Sequence, residues 1–310
     1  MSYNKSFKVL CLACFALILN LKIDAQVGAK KDTFDLMSML ENEASQSNQN
    51  ATDYTTATFK TTRLINGHSV ENVGRGVLDV RISHRFGTLN KGAYELWGLD
   101  NATMRMGFDY GITKRLMVGV GRSTYEKTYD AFFKYKILAQ SKGRRKMPIT
   151  LSYVPTIAIN TLHWPYPNRD NYFSSRISYS HQLIIGRKFS EATSLQIMPT
   201  LIHKNLVDSA IFANDIFAIG IGGRQKLSKR VSINAEYYYL LPSTKLPGST
   251  NCLSIGFDIE TGGHVFQLHF TNSMGMSENN FITGTKGKWE KGDVLFGFNL
   301  SRVFTIGKSK

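Results

Sequence analysis

Arg81, Arg85, Arg105, Lys134, Lys136 and Arg176 all fall in the polar phase of stretches whose other phase is apolar. Asp79, Asp109, Glu236 and Asp258 fall in the same phase. Adjacent side chains of a strand point to opposite faces, so these ten residues are expected on one surface and the apolar residues on the other. Three kinds of electrostatics could follow. A surplus of cations around a lumen with low-dielectric walls would attract anionic solutes. Paired acids and bases would instead form a salt-bridged network that plugs a narrow lumen. In the third case much of the positive charge lies outside, against lipopolysaccharide phosphates. The pattern leaves all three open.

Other chemistry-bearing residues are weaker candidates. Trp97, Trp164 and Trp289 all fall in long connections, and Tyr166 lies in the stiff run Trp164-Pro165-Tyr166-Pro167. These external-loop aromatics could recognise a ligand, fold over a pore, or anchor the rim in the membrane interface. A barrel-embedded lipid hydrolase would need Ser, His and an acid together near the outer rim, facing lipid. His181 is the obvious outward histidine, but Ser178 and Ser180 take the opposite phase and no Gly-x-Ser-x-Gly elbow occurs. That activity is kept only as a remote alternative, with no catalytic residue named. His264 and His269 do not share a strand face, so no metal site is expected, and no cofactor is implied. Nucleic acid is a poor partner, because no compact basic helix or stacking platform accompanies the charge.

The elements that would position these residues are strands. After the turn Gly111-Ile112-Thr113-Lys114, Leu116, Val118 and Val120 alternate with Met117, Gly119 and Gly121. The same unit recurs from Gly76 to the end of the chain in stretches of about ten residues, enough for a tilted strand to cross the hydrocarbon layer. Connections fall into two sets: short ones such as 112–114, 188–192, 227–229 and 261–263, and long ones such as 87–101, 161–171, 205–212, 242–249 and 272–292. Short periplasmic turns and long external loops are the two ends of a bacterial barrel. Parity then gives about twelve strands with both chain ends on the periplasmic side. The strand-like run Thr55 to Ile65 would break that parity, so it is expected in the periplasm or folded into the lumen.

A secreted sandwich or soluble barrel respects the same alternation, but its outer face should be rich in Lys, Glu and Asp. Here the second face is largely Gly, Ser, Thr and Asn, and Tyr110, Tyr179, Tyr237, Tyr239 and Phe304 sit near strand ends as interfacial girdles do. His181 and Arg302 fall on the lipid-facing phase and count against the membrane reading unless they lie near the bilayer edge.

Upstream, Lys5 and Lys8 precede the apolar run Val9 to Leu19, and Asp24-Ala25 follows, which is the layout of an export signal cleaved after Ala25. Cleavage would remove three cations and one anion, taking the net charge from +15 to +13, and would leave Cys252 as the single thiol. The expected organisation is therefore a signal at 1–25, a periplasmic or plug-like segment at 26–75, and a barrel at 76–310. Within the second part, a short amphipathic helix from Asp32 to Ala44 and a Ser/Gln/Asn tether at 45–50 are read from composition.

Several stretches resemble an uncharacterised family of membrane-bound β-barrels from Bacteroidetes-type bacteria. They are Asn66-Gly67-His68-Ser69-Val70-Glu71, Ile82-Ser83-His84-Arg85-Phe86-Gly87, Leu99-Asp100-Asn101-Ala102-Thr103, Tyr110-Gly111-Ile112-Thr113, the run Gly121 to Asp130, and Gly186-Arg187-Lys188-Phe189. The resemblance implies an outer-membrane barrel and carries no catalytic residues. The reading is an all-β, antiparallel, up-and-down transmembrane barrel of the bacterial outer membrane. It would be a porin-like passive pore or binder for a small, anionic solute, in contact with outer-membrane lipids and lipopolysaccharide. The alternative is a non-enzymatic scaffold, docking a periplasmic partner through the N-terminal segment or surface partners through the loops.

Overall fold

The computed structural model describes residues 51–307, positions 208 and 210 excepted. The export signal, the helix expected at 32–44 and the tether at 45–50 lie outside the described residues.

In chain order the strands are β1 (Thr52–Tyr54), β2 (Val77–Thr88), β3 (Ala102–Gly111), β4 (Leu116–Ser123), β5 (Tyr129–Leu138), β6 (Ser141–Gly143) and β7 (Thr150–Ile159). They continue with β8 (Ile177–Lys188), β9 (Thr193–Lys204), β10 (Asp215–Lys226), β11 (Val231–Leu240), β12 (Cys252–Thr261), β13 (His264–Thr271) and β14 (Leu295–Thr305). One short helix, α1, spans Glu278–Thr283. The strands from β2 to β14, without β6, form a closed barrel of twelve, each pairing antiparallel with its neighbours and β14 closing on β2. β1 and β6 pair with each other in a separate two-stranded sheet, so the β5–β7 connection carries a short strand of its own.

Alternation fixes which face is which. In β10, Phe217, Ile219 and Ile221 are 44, 43 and 53 % exposed, whereas Ala218, Gly220 and Gly222 between them are buried. The same holds around the barrel, so its outer surface is a continuous apolar band. Contiguous exposed apolar surface on that scale is unfavourable in water and fits acyl chains. A soluble barrel would reverse the arrangement.

Arg302 and His181, the polar residues noted above on the lipid-facing phase, lie on the outer face. Arg302 stands near the end of β14 with its guanidinium 5.0 Å from the Phe304 ring centre. His181 lies well inside β8 rather than near an edge; its Nδ1 is 2.7 Å from the Tyr153 hydroxyl, which satisfies that nitrogen. Ser178 and Ser180 point inward, away from it.

Candidate functional site

The barrel interior is occupied from both ends. From the short-turn end the chain between β1 and β2 enters the lumen as an irregular hairpin that reverses at Asn66-Gly67. Leu64 N–H donates to Gly67 O at 2.8 Å and Ser69 N–H to Thr62 O at 3.0 Å. Irregular backbone at membrane depth is tolerated only where protein or a water-filled cavity surrounds it, and here the barrel wall supplies its partners.

The hairpin tip is held by Glu236 of β11. Its carboxylate accepts from three successive backbone N–H groups: Ile65 at 3.3 Å, Asn66 at 2.8 Å and Gly67 at 3.1 Å. The Asn66 side chain bridges β2 and β12, its Oδ1 accepting from Arg85 at 2.7 Å and its Nδ2 donating to Ser254 Oγ at 2.8 Å. Lower down, Lys134 spends its donors on three hairpin carbonyls, those of Thr62, Ser69 and Glu71, at 3.1, 3.0 and 2.6 Å. Arg224 reaches the carbonyls of Ala57 and Thr58, and Lys60 pairs with Glu260 at the entrance. Apolar contact adds to this, because Phe59, Leu64, Val70 and Val73 join a buried cluster with Met117, Phe132, Met198 and Tyr238.

Glycines make the space. A Cβ at Gly222 would lie 2.2 Å from a Leu64 methyl, one at Gly186 2.6 Å from a Val70 methyl, and one at Gly67 1.9 Å from the Tyr238 hydroxyl.

From the long-loop end, the β13–β14 connection folds down into the barrel and carries α1 with it. Met276, Glu278, Phe281 and Ile282 are buried there. Glu278 meets the hairpin directly: its carboxylate accepts from Arg63 Nη1 at 2.6 Å, with the pair 1 and 4 % exposed. Phe281 sits edge-on to Tyr238, ring centres 5.1 Å apart.

Between the two segments, a central cavity lined by Arg63, Asn66, Arg81, Arg85 and Arg105 holds only about 10 Å³, on the scale of a single water. On either side lies a larger one. At the turn end about 350 Å³ is lined by Lys60, Glu71, Asn72, Asp79, Glu260 and His264. At the loop end about 310 Å³ is lined by Glu126, His163, Trp164, Arg176, Lys204 and Asn280 among others. Burial raises the pKa of the Glu126 carboxyl above its usual range, opposed by Lys204 and Lys286. Its backbone, like that of Lys127, adopts the strained left-handed conformation, at φ 52° and 47°.

The charged residues singled out in sequence take up these positions. Arg81 bonds Thr62 and Asp79; Arg105 forms a buried two-pronged pair with Asp130; Asp79 also accepts from Ser301, Asp109 from Thr62, and Asp258 from Gln267. Lys136 is inward and half-buried. Arg176 precedes β8 in a 3-10 turn at the loop end, bonds the carbonyls of Asn160 and Leu162, and lies 3.8 Å from the Trp164 ring centre, so it lines the loop-end cavity rather than the waist.

Of the loop aromatics, Trp289 donates to Leu253 O at 3.1 Å, while Trp97 and Tyr166 are exposed. Asp130, Arg224, Arg63 and Glu278 were not singled out in sequence. The first two would have followed from running the alternation of β5 and β10 a few residues further.

Removing Arg105 alone, as Arg105→Ala, leaves the Asp130 charge buried without its partner. It is expected to cost about 3–5 kcal/mol of barrel stability, measured as a lowered temperature of unfolding by heat-dependent gel mobility.

Charge is distributed unevenly between the two ends. The loop end mixes signs, with Lys91 3.6 Å from Glu95, Arg169 beside Asp170, and Lys288 and Lys291 near Glu290 and Asp293. The turn end exposes Arg75, Lys114, Arg115, Lys142, Arg144, Arg145, Lys146, Arg187, Lys229 and Arg230. Among the described residues there, the exposed acids are Asp53 and Glu191. Among the described residues the larger positive surplus therefore lies at the turn end.

No curated protein matches this sequence. Among solved structures, the chain is similar to the NanC porin (8 % identity, TM-score 0.46, covering 74 % of this chain and 100 % of that one). An outer-membrane channel from Pseudomonas putida F1 gives 12 %, 0.45, 76 % and 98 %, and the outer-membrane protein Omp33 of Acinetobacter baumannii 8 %, 0.41, 73 % and 97 %. The family described as "Membrane bound beta barrel domain (DUF5777)" matches residues 59–304, a span that takes in the lumen hairpin and all twelve barrel strands. The chain belongs to this family of membrane-bound β-barrels.

Proposed function

We propose that this protein is a passive channel of the bacterial outer membrane for small polar solutes, closed at rest by its own N-terminal hairpin and the β13–β14 loop. The turn end faces the periplasm in this reading and the loop end faces outward. The observation that carries it is the hourglass interior: two cavities of about 350 and 310 Å³ separated by a waist of about 10 Å³. A barrel of eight strands can fill itself with side chains, and twelve strands enclose more than that. Here the wall recedes at its glycines, and separate chain segments stop the lumen.

The seal is mostly polar. Carbonyls and N–H groups of the hairpin bond to wall residues that water could serve instead, so withdrawal exchanges partners rather than stranding them. Arg81, Arg85 and Lys134 would then lose their hairpin partners and face the open lumen beside Arg105, which gives the anion preference a place: it belongs to the open state. In the closed state the same cations act as latches.

Planar-bilayer recording in a salt gradient tests this. The expected result is a low basal conductance with rare openings whose reversal potential favours anions. Absence of current at any voltage, in the wild type and in hairpin-loosened variants alike, would end the channel reading. Cation selectivity would remove the role given to the arginines.

A further inference from the structure

The basic turn end has no part in closing the lumen. Three of the turns at this end share one composition. The β3–β4 turn exposes Ile112 beside Lys114 and Arg115, and the β10–β11 turn exposes Leu227 beside Lys229 and Arg230. The β8–β9 turn exposes Phe189, with the Arg187 guanidinium 5.1 Å from its ring centre. Between the β3–β4 and β8–β9 turns in barrel order, the β5–β7 connection adds the run Arg144-Arg145-Lys146. The arc is one-sided: the β12–β13 turn, Thr261-Gly262-Gly263, carries no charge.

We propose that this arc is a docking rim for anionic phospholipid headgroups of the leaflet at the turn end. Cations alone would suit any polyanion. The apolar tips decide between them, because an exposed Ile, Phe or Leu at the apex of a basic turn is poorly placed in water and well placed at the boundary of headgroups and acyl chains. Long basic side chains there reach phosphates while their stems stay in apolar surroundings. Spacing over successive hairpins around the perimeter also matches a leaflet that surrounds the barrel. The proposal rests on the membrane barrel and is independent of whether the lumen conducts.

The test is lipid retention by the folded full-length chain in nanodiscs of phosphatidylethanolamine with a minority of phosphatidylglycerol, read by native mass spectrometry. Wild type is expected to retain phosphatidylglycerol several-fold above its share of the mixture, less so at high salt. The variant Lys114→Gln/Arg115→Gln/Lys229→Gln/Arg230→Gln should fall to the bulk ratio while keeping the heat-dependent gel shift of a folded barrel. Lys245→Gln/Lys288→Gln/Lys291→Gln, at the other end, should retain the enrichment. Retention at the bulk ratio in wild type, or equal enrichment in the turn-end variant, overturns the proposal. So does capture of soluble polyphosphate by the arc without lipid enrichment, which would assign the arc to a soluble partner.

Discussion

Glu236→Ala is expected to turn a mostly silent barrel into a conducting one. Three backbone N–H groups at the hairpin tip converge on this carboxylate, and nothing else on β11 bonds to them. Each hydrogen bond to a charged group contributes about 1.5–3 kcal/mol, and each buried donor left unpaired costs about 1–3 kcal/mol. These values do not add fully, because Asn66 keeps its bonds to Arg85 and Ser254. A net loss of about 3 kcal/mol is the expected scale, or roughly a hundredfold in the ratio of open to closed states. The barrel itself should be unaffected, since the side chain points inward and β11 keeps its ladders to β10 and β12. Glu236→Gln should fall between, with one acceptor oxygen kept and an amide turned toward donors. Single-channel recording gives the open probability; values equal to wild type for the alanine variant would mean that Glu236 does not hold the hairpin.

Glu278→Ala should loosen both plugging segments at once. The Arg63–Glu278 pair is a direct polar contact between them, with both members almost fully buried, and the hairpin's His68 Nε2 lies 3.4 Å from the same carboxylate. Removing the carboxylate leaves a guanidinium in the waist with only Asn66 O and the face of Phe132 as company. Breaking a buried pair in this way typically costs about 3–5 kcal/mol, whereas replacing both members by apolar groups of similar volume is often neutral. Limited proteolysis from the loop end should therefore cut the β13–β14 connection much faster in Glu278→Ala, and Arg63→Met/Glu278→Leu should restore most of the protection. If the double variant is as susceptible as the single one, the pair is not what joins the two segments.

The barrel wall was legible because a strand between lipid and lumen alternates with period two, and a chain such as Phe217-Ala218-Ile219-Gly220-Ile221-Gly222 has no other reading of comparable economy. What fills the wall was less so. From Thr58 to Val70 the hairpin is buried on nearly every side, so it shows no alternation, and only the parity of the strand count pointed to the lumen. The connection after β13 is polar enough to pass for a surface loop; Ser277, Glu278 and Asn280 are buried because the lumen itself is polar. The pairing of Arg105 with Asp130 joins β3 to a strand two away, and no local pattern announces such a partner. Arg81, Arg85, Arg105 and Lys134 stand buried on the inner face, yet residue type alone could not tell a free lining from one already bonded to hairpin carbonyls.

Cys252 offers the most direct test of the closed lumen. It stands at the start of β12, fully buried, its sulfur 4.0 Å from the Asn66 amide at the hairpin tip, and it is the free thiol of the described residues. A charged, membrane-impermeant thiol reagent should modify it very slowly in the folded wild-type barrel, and orders of magnitude faster in Glu236→Ala under identical conditions. Modification of the folded wild type at the rate of the unfolded chain would show that the hairpin does not occupy the lumen, and the account of a self-plugged barrel would fail with it.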